Sequence, residues 1–198
     1  VSGKGAPAAL VTGLLSGLFS EISRRYRSPA KVLRILDQEL AKTLPDGMFV
    51  TAFYFVLDLD SGELTYASAG HDPPFLRRPE SEVEELMPTG LPIGLLGEFG
   101  IEETRVILTP EALLVVYTDG LVNACLPGGE RMGEEAFMEQ IKSSVGKPAS
   151  AVTDDLFMFT DTQAETDDDV VVLSLRLTGV KSATPAGQRE TVRSEAVL

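Results

Sequence analysis

Acidic side chains stand at two places where a strand is predicted to end or begin. Asp119 follows the apolar run 112–117, and the triplet Asp167-Asp168-Asp169 comes directly before the apolar run 170–173. Carboxylate oxygens are preferred ligands of Mg²⁺ and Mn²⁺, and a strand end holds one where a neighbouring strand can add another. Gly120 would let the chain turn tightly beside an ion. The pattern is consistent with a divalent-metal site, but the spacing alone is explained somewhat better by an Asp-Gly turn and a solvated acidic loop.

A cysteine phosphatase is a second possibility. Cys125 and Arg131 have the C-x5-R spacing by which a thiolate and a guanidinium share one phosphate-binding loop. That loop should offer backbone N–H groups to an anion, but Pro127 has none and Glu130 adds a negative charge. The cysteine mechanism is therefore disfavoured.

Two further patterns have structural explanations. Asp58-Leu59-Asp60 is similar to the nucleophilic motif of haloacid-dehalogenase phosphatases, but Ser61-Gly62 follows and favours a hairpin turn. His71 is the single histidine, and the G-x-S-x-G elbow of a serine hydrolase is absent. A lone loop histidine is more often structural than catalytic, although His71 could still hydrogen-bond near a phosphate.

Predicted helices and strands must position these residues. Helices are predicted from Pro7 to Arg25, from Pro29 to about Thr43 after a Ser28 N-cap, and over 133–142 and 150–159. Strands are predicted over 49–57, 63–68, 74–76, 83–86, 103–107, 112–117 and 169–177, the last of them buried. The order of helix pair, antiparallel strands, helix pair and final strand predicts an α+β layered domain. We expect that domain over 1–177 and a tail or linker over 178–198.

Composition narrows the function classes. With 17 Lys and Arg against 30 Asp and Glu, the net charge of -13 would repel a nucleic-acid backbone. No stretch reads as the roughly 18 apolar residues of a membrane span, so membrane insertion is not expected. The single cysteine excludes an internal disulfide and four-cysteine zinc sites, which fits a cytoplasmic setting. The chain opens on Val1 rather than Met, which suggests a cropped sequence.

Taken together, six fragments resemble one family more specifically than any of them does alone. They are 1–5 (VSGKG) with 7–10 (PAAL), 48–52 (MFVTA), 69–74 (AGHDPP), 90–95 (GLPIGL), 117–120 (YTDG) and Asp168-Asp169 before the last strand. In this order they resemble the SpoIIE and RsbU-like bacterial branch of the PPM, or PP2C-type, phosphatases. The resemblance covers residues 1 to about 177. It implies a four-layer αββα sandwich of two antiparallel sheets flanked by helix pairs, with the first strands missing.

The resemblance also implies a metal centre of two Mn²⁺ or Mg²⁺ ions. Asp119 matches the metal aspartate of the T-D-G motif, Asp168 matches the first aspartate of the D-D pair, and Val1 matches a residue whose backbone carbonyl contacts a metal. The remaining matched positions are expected beside the metal ligands or near the phosphate, and they are Gly3, Gly5, Gly120, Asp169 and His71. In the motif that contains His71, Asp72 replaces the usual Asn. The family carries further metal aspartates before the Val1 position, which fall outside this sequence.

The implied activity is hydrolysis of phosphoserine or phosphothreonine by metal-activated water, without a phosphoenzyme. The family's usual substrate is a phosphorylated STAS-domain anti-anti-sigma factor in partner-switching control of sigma factors. An upstream sensor domain would be consistent with this role. A pseudophosphatase that uses the fold only to bind a signalling partner is the main alternative.

Overall fold

The computed structural model describes residues 1–79, 82–95, 100–124, 131–160 and 169–179. These residues form two compact units, one comprising 1–71 with 88–107 and the other comprising 72–87 with 108–179. Cys125, Pro127, Glu130 and Asp168 lie outside the described residues, as does the predicted tail from residue 180 onward.

The order of elements follows the predicted one closely. It is α1 (Ala6–Arg25), α2 (Pro29–Leu40), β1 (Ala52–Leu57), β2 (Glu63–Ala69), β3 (Phe75–Arg77), β4 (Val83–Glu85), β5 (Thr104–Ile107), β6 (Leu113–Tyr117), α3 (Asp119–Val122), α4 (Gly133–Ser143), α5 (Ala149–Thr160) and β7 (Val172–Arg176). All strand pairs are antiparallel. The predicted α+β class, with two antiparallel sheets and a helix pair in each unit, is confirmed.

The first unit combines α1 and α2 with the three-stranded sheet β1-β2-β5. Both helices begin with a proline in the first turn, and the Ser28 hydroxyl caps α2 by accepting a hydrogen bond from the Lys31 backbone N–H at 3.2 Å. The helices and the sheet share a core that includes Phe19, Leu36 and Tyr54. The rings of Phe19 and Tyr54 meet edge to face, with their centroids 5.1 Å apart.

Helix α1 corrects the expectation that no stretch of the sequence is long and apolar enough to span a membrane. A stretch of 18 of its 20 residues has a mean hydropathy of 1.3, which makes the helix long and apolar enough to cross a membrane. Serines, threonine and glycines between the leucines obscure this length in the sequence. Core helices of globular proteins can have the same length and composition. Helix α1 buries one face, with Val11, Leu15, Phe19 and Ile22 in the core of the first unit. In all, 28% of this 18-residue stretch is buried.

The second unit builds its sheet in the order β4-β3-β6-β7. All five residues of β6 are buried, as expected for a strand with neighbours on both sides. Phe75 of β3, Tyr117 of β6 and Phe137 of α4 form an aromatic cluster, in which the rings of Tyr117 and Phe137 lie 4.6 Å apart. This cluster fixes α4 on the sheet.

The main differences from the prediction concern two strands and two helices. Strand β1 begins at Ala52 rather than 49, helix α2 ends at Leu40, and the unpredicted helix α3 begins at Asp119. Strand β7 starts only at Val172 and is half-buried rather than buried, because it pairs with β6 alone at the end of the described sheet. Val50 instead forms an isolated bridge with Ile93.

Candidate metal centre

Asp119 lies where a rigid strand ends. It follows β6 and Thr118 and is the first residue of α3, and it is exposed although the strand before it is buried. Its backbone carbonyl accepts a hydrogen bond from the Asn123 N–H at 2.9 Å, which closes the helical turn. The buried strand therefore fixes the backbone while the carboxylate remains open to a ligand.

Thr118 ties this strand end to the segment before β7. Its hydroxyl donates to the Asp169 carbonyl at 3.0 Å and accepts from the Val171 N–H at 2.9 Å. The Thr118 backbone N–H also donates to the Val171 carbonyl at 3.0 Å. Three hydrogen bonds thus hold Thr118 against a segment more than 50 residues away, and they bring the backbones that carry Asp119 and Asp169 side by side.

The two predicted acidic segments are therefore neighbours in the second unit. Asp169 is exposed like Asp119, whereas Asp168 lies outside the described residues. Over 1–79, 82–95, 100–124, 131–160 and 169–179, no group of three His, Cys, Asp or Glu side chains is arranged to hold a metal ion. The described donors fit a hard divalent cation in chemistry, since they are exposed carboxylates on a fixed backbone, but they supply only part of a coordination shell.

Gly120 lies in the turn that follows Asp119. It is buried within α3, one residue after Asp119. The chain changes direction here through a single helical turn.

The predicted N-terminal segment belongs to the first unit. The Ser2 backbone N–H donates to the Phe49 carbonyl at 2.9 Å, and the Phe49 N–H donates to the Ser2 hydroxyl at 2.8 Å. Gly3 and Gly5 have φ values of 84° and 80°, which glycine adopts without strain, and Gly5 is the N-cap of α1. This double link holds the exposed Val1 beside a fixed backbone.

His71 lies buried in the first unit, 4% exposed, with its ring centroid 6.3 Å from that of Phe53. The preceding Gly70 has a φ of 63°, and a Cβ at that position would lie 2.3 Å from the Pro92 ring. The Gly70 N–H donates to the Gly90 carbonyl at 3.0 Å. The 69–74 and 90–95 fragments are therefore complementary parts of one close backbone approach, which accounts for their occurring together.

The alternative phosphatase patterns also have structural outcomes. The Asp58 carboxylate accepts from the Asp60 and Ser61 N–H groups at 2.8 and 3.2 Å, which confirms the hairpin turn. The Arg131 guanidinium donates to the Asn123 side chain at 3.1 Å. Its predicted partner Cys125 lies outside the described residues.

Negative charge surrounds the end of β6. Burial raises the pKa of the Tyr117 phenol well above its usual range, and Asp72, Glu134 and Glu85 raise that pKa further. Tyr117 therefore stays neutral, and the residue just before Thr118 adds no charge to a region where a cation would be favoured.

Sequence reasoning missed the residues that do the positioning. The sequence indicated Thr118 only as part of the T-D-G motif and Ser2 only as part of the glycine-rich segment 1–5. A hydroxyl residue between a strand and a following helix is a useful signal, but neither distant partner can be read from the sequence.

Comparison with known proteins covers nearly the whole described chain. The family described as Stage II sporulation protein E (SpoIIE) matches residues 1–178. Phosphoserine phosphatase RsbU of Bacillus subtilis (strain 168) is 27% identical over 177 residues, which cover 87% of this chain and 53% of RsbU. The chain thus spans about half the length of this relative.

Solved structures share the architecture. The RsbU and RsbW domains of Rv1364c from Mycobacterium tuberculosis match with a TM-score of 0.72 and 27% identity, covering 93% of this chain and 52% of that one. The SiaA-PP2C domain of Pseudomonas aeruginosa also gives a TM-score of 0.72, with 23% identity and coverages of 88% and 72%. RsbX in complex with magnesium gives 0.64, with 16% identity and coverages of 87% and 75%. The chain therefore belongs to the SpoIIE family, and its fold is that of PP2C phosphatase domains.

Proposed function

We propose that this chain is the catalytic domain of a metal-dependent phosphatase that hydrolyses phosphoserine or phosphothreonine in a protein. The observation that carries the proposal is the Thr118 link, because it holds the backbone of Asp119 beside that of Asp169. Membership of the SpoIIE family supports it, since a relative covering most of this chain is a phosphoserine phosphatase by name.

Asp119, Asp168 and the backbone carbonyl of Val1 are the proposed ligands of two Mn²⁺ or Mg²⁺ ions. The magnesium complex of RsbX, which shares the fold, supports a divalent metal. When bound, such ions would lower the pKa of a bound water and neutralise phosphate charge. The residues proposed to support the ligands or the phosphate from nearby positions are Gly3, Gly5, Gly120, Asp169 and His71.

The protein's own residues contribute position and charge. The buried strand β6 and the Thr118 hydrogen bonds fix the Asp119 backbone, so its carboxylate needs little reorganisation to meet a ligand. The net charge of -13 repels a phosphate group unless cations are present. Activity should therefore depend steeply on divalent metal.

The proposed substrate is a phosphorylated STAS-domain protein in partner-switching signalling, in the cytoplasm. Support comes from the similarity to RsbU and to a chain that joins RsbU and RsbW domains. A sensor domain elsewhere in a longer protein would fit this role.

The test is hydrolysis of a phosphoserine protein by this chain and by a version extended at its N-terminus, each in EDTA and then with added Mn²⁺. We expect no turnover in EDTA and recovery with Mn²⁺, stronger in the extended chain because further metal aspartates precede Val1 in the family.

Two results would contradict the proposal. Turnover that persists in EDTA would exclude the metal mechanism. Tight Mn²⁺ binding by the extended chain without turnover would instead support a pseudophosphatase that only binds its partner.

A further inference from the structure

A cleft in the second unit lies at the end of the sheet opposite to Asp119. Its volume is about 550 Å³, within the usual range of small-molecule sites. Three basic side chains line it together with apolar ones and one acidic one, and the lining comprises Arg77, Arg78, Pro79, Glu82, Val83, Met138, Lys142 and Val145. The cleft is thus lined by residues 77–79 and 82–83 on one side and by residues of α4 and Val145 on the other.

Arg77 is the unusual member of this lining. It is only 4% exposed, and its Nε atom is buried without a hydrogen-bond partner. No ion pair in the described part of the chain includes Arg77. A buried guanidinium with unmet hydrogen-bonding capacity is costly, and such groups are normally paired.

A second arginine lies in the same row of the sheet. Arg77 and Arg176 both pair with Leu113, from β3 and β7 on either side of β6. Arg176 donates from Nη1 to the Glu111 carbonyl and from Nη2 to the Ser144 carbonyl, at 3.2 Å each, and its Nη1 lies 3.6 Å from the Glu111 carboxylate. Its Nε atom is buried without a hydrogen-bond partner, like that of Arg77. The two arginines therefore differ at their Nη atoms, for which the described residues provide acceptors in Arg176 alone.

The charges around Arg77 also leave its positive charge poorly compensated. Burial lowers the pKa of Arg77, the like charge of Arg176 lowers it further, and Glu111 only partly opposes the shift. The other cations of the cleft are half-exposed and have acidic partners, with Arg78 2.8 Å from Glu84 and Lys142 3.6 Å from Glu139. An added anion would relieve the charge of Arg77 without having to break a buried pair.

We propose that this Arg77 cleft binds a small organic anion, with a carboxylate or phosphate-type group at Arg77 and an apolar portion against Val83, Met138 and Val145. Lys142, on the same face of α4 as Met138, would add a second and weaker charge contact. This site does not depend on the proposed phosphatase activity, since Leu113 and Tyr117 lie at opposite ends of β6 and the cleft lies at the Leu113 end.

The experiment is an amide chemical-shift titration of the full chain in EDTA, so that no metal-bound phosphate site contributes. The probes are benzoate and phenylphosphonate, with benzamide as the neutral control. We expect the amides of residues 77–79 and 138–142 to shift with both anions but not with benzamide, while those of 118–120 stay in place. The two anions also show which headgroup is preferred.

Two variants and a matched control assign the site. Arg77→Met should weaken anion binding by about 10-fold or more, as expected for a hydrogen bond to a charged group, while the thermal midpoint without anion stays the same or rises. Lys142→Gln should weaken binding by about 2- to 4-fold, as for an exposed charge pair. Lys42→Gln should have no effect, although Lys42 also pairs with a glutamate three residues before it.

Several outcomes would overturn the proposal. They are equal affinity for benzamide and benzoate, undiminished binding by Arg77→Met, and absence of shifts in the cleft at any anion concentration that the protein tolerates. If Arg77→Met does not fold, the anion affinities of Lys142→Gln and Lys42→Gln are compared instead. Equal affinities in these two variants would overturn the proposal. Binding of an acidic peptide without binding of either small anion would show that the cleft recognises a protein instead.

Discussion

Strand β6 has an acidic end and a basic end, and the two are built differently. At the Tyr117 end, Thr118 joins the backbones of Asp119 and Asp169, and both acids stay exposed. At the Leu113 end, Arg77 and Arg176 lie in one row, and within the described part of the chain hydrogen-bond acceptors are present only for the Nη atoms of Arg176. The five residues of β6 separate these ends by about 13 Å. The comparison shows two different grounds for proposing a ligand site. At one end carboxylates are exposed to solvent on a fixed backbone, and at the other a guanidinium is buried without an ion pair in the described part of the chain.

The largest expected effect is at the acidic end. Asp119→Asn should lower Mn²⁺-dependent hydrolysis by at least about 100-fold in the N-terminally extended chain, because even residues that only orient a metal ligand contribute about 10- to 100-fold. The free energy of unfolding should barely change, since Asp119 is exposed. The measurement is kcat/KM at saturating Mn²⁺, with Asp154→Asn as the control, because Asp154 is an exposed residue of α5. Full activity in Asp119→Asn would remove Asp119 from the proposed ligands.

The next effect separates the two arginines of the basic end. Arg176→Met should lower the free energy of unfolding by about 1–3 kcal/mol, because it leaves two carbonyl groups without their donor. Arg77→Met should leave it unchanged or raise it, because an unpaired buried charge is removed. Urea denaturation of both variants measures the difference, and an equal loss in both would show that Arg77 is structurally satisfied.

A smaller loss is expected from the link at the acidic end. Thr118→Val keeps the shape of the side chain but removes one donor and one acceptor, so the free energy of unfolding should fall by about 1–2 kcal/mol. Hydrolysis should also fall, because the Asp119 and Asp169 segments lose their connection. Thr153→Val is the control, since its hydroxyl only contacts a carbonyl within its own helix. A loss of stability without any loss of turnover would limit Thr118 to a structural role.

The smallest effect is visible only at high pH. The pKa of Tyr117 is raised in the folded state, so folding favours the neutral phenol. This contribution is complete below the unfolded pKa of about 10 and is lost as the pH rises above it. The free energy of unfolding should therefore decline more steeply above about pH 10 in the parent chain than in Tyr117→Phe. Tyr26→Phe should keep the steep decline, and identical curves for all three chains would contradict the assignment.

Much of the fold was predictable from local patterns. Pro7, the Ser28 cap and the leucine spacing located α1 and α2, and the Asp58 turn located the first hairpin. These signals work because helix caps, turns and side-chain periodicity depend on residues only a few positions apart. The boundaries of β1 and β7 were less accurate, since a strand ends where its partner ends, and the partner is distant in the sequence.

The candidate site was predictable in part. The acidic residues at the strand ends were recognised from their types and positions, and the joint order of six fragments indicated the family that the comparison confirmed. The short helix Asp119–Val122 was not predicted, because a single helical turn has too few residues to show a periodic pattern in the sequence.

The sequence by itself determined the types of the elements, the family and the positions of the acids, because these follow from residue chemistry and short-range spacing. Only the tertiary structure decided that Thr118 joins Asp169, that Gly70 meets Pro92, and that Arg77 shares a row with Arg176. Each of these contacts joins residues that are far apart in the chain. They depend on strand register and on the packing of whole elements, so the fold as a unit sets them.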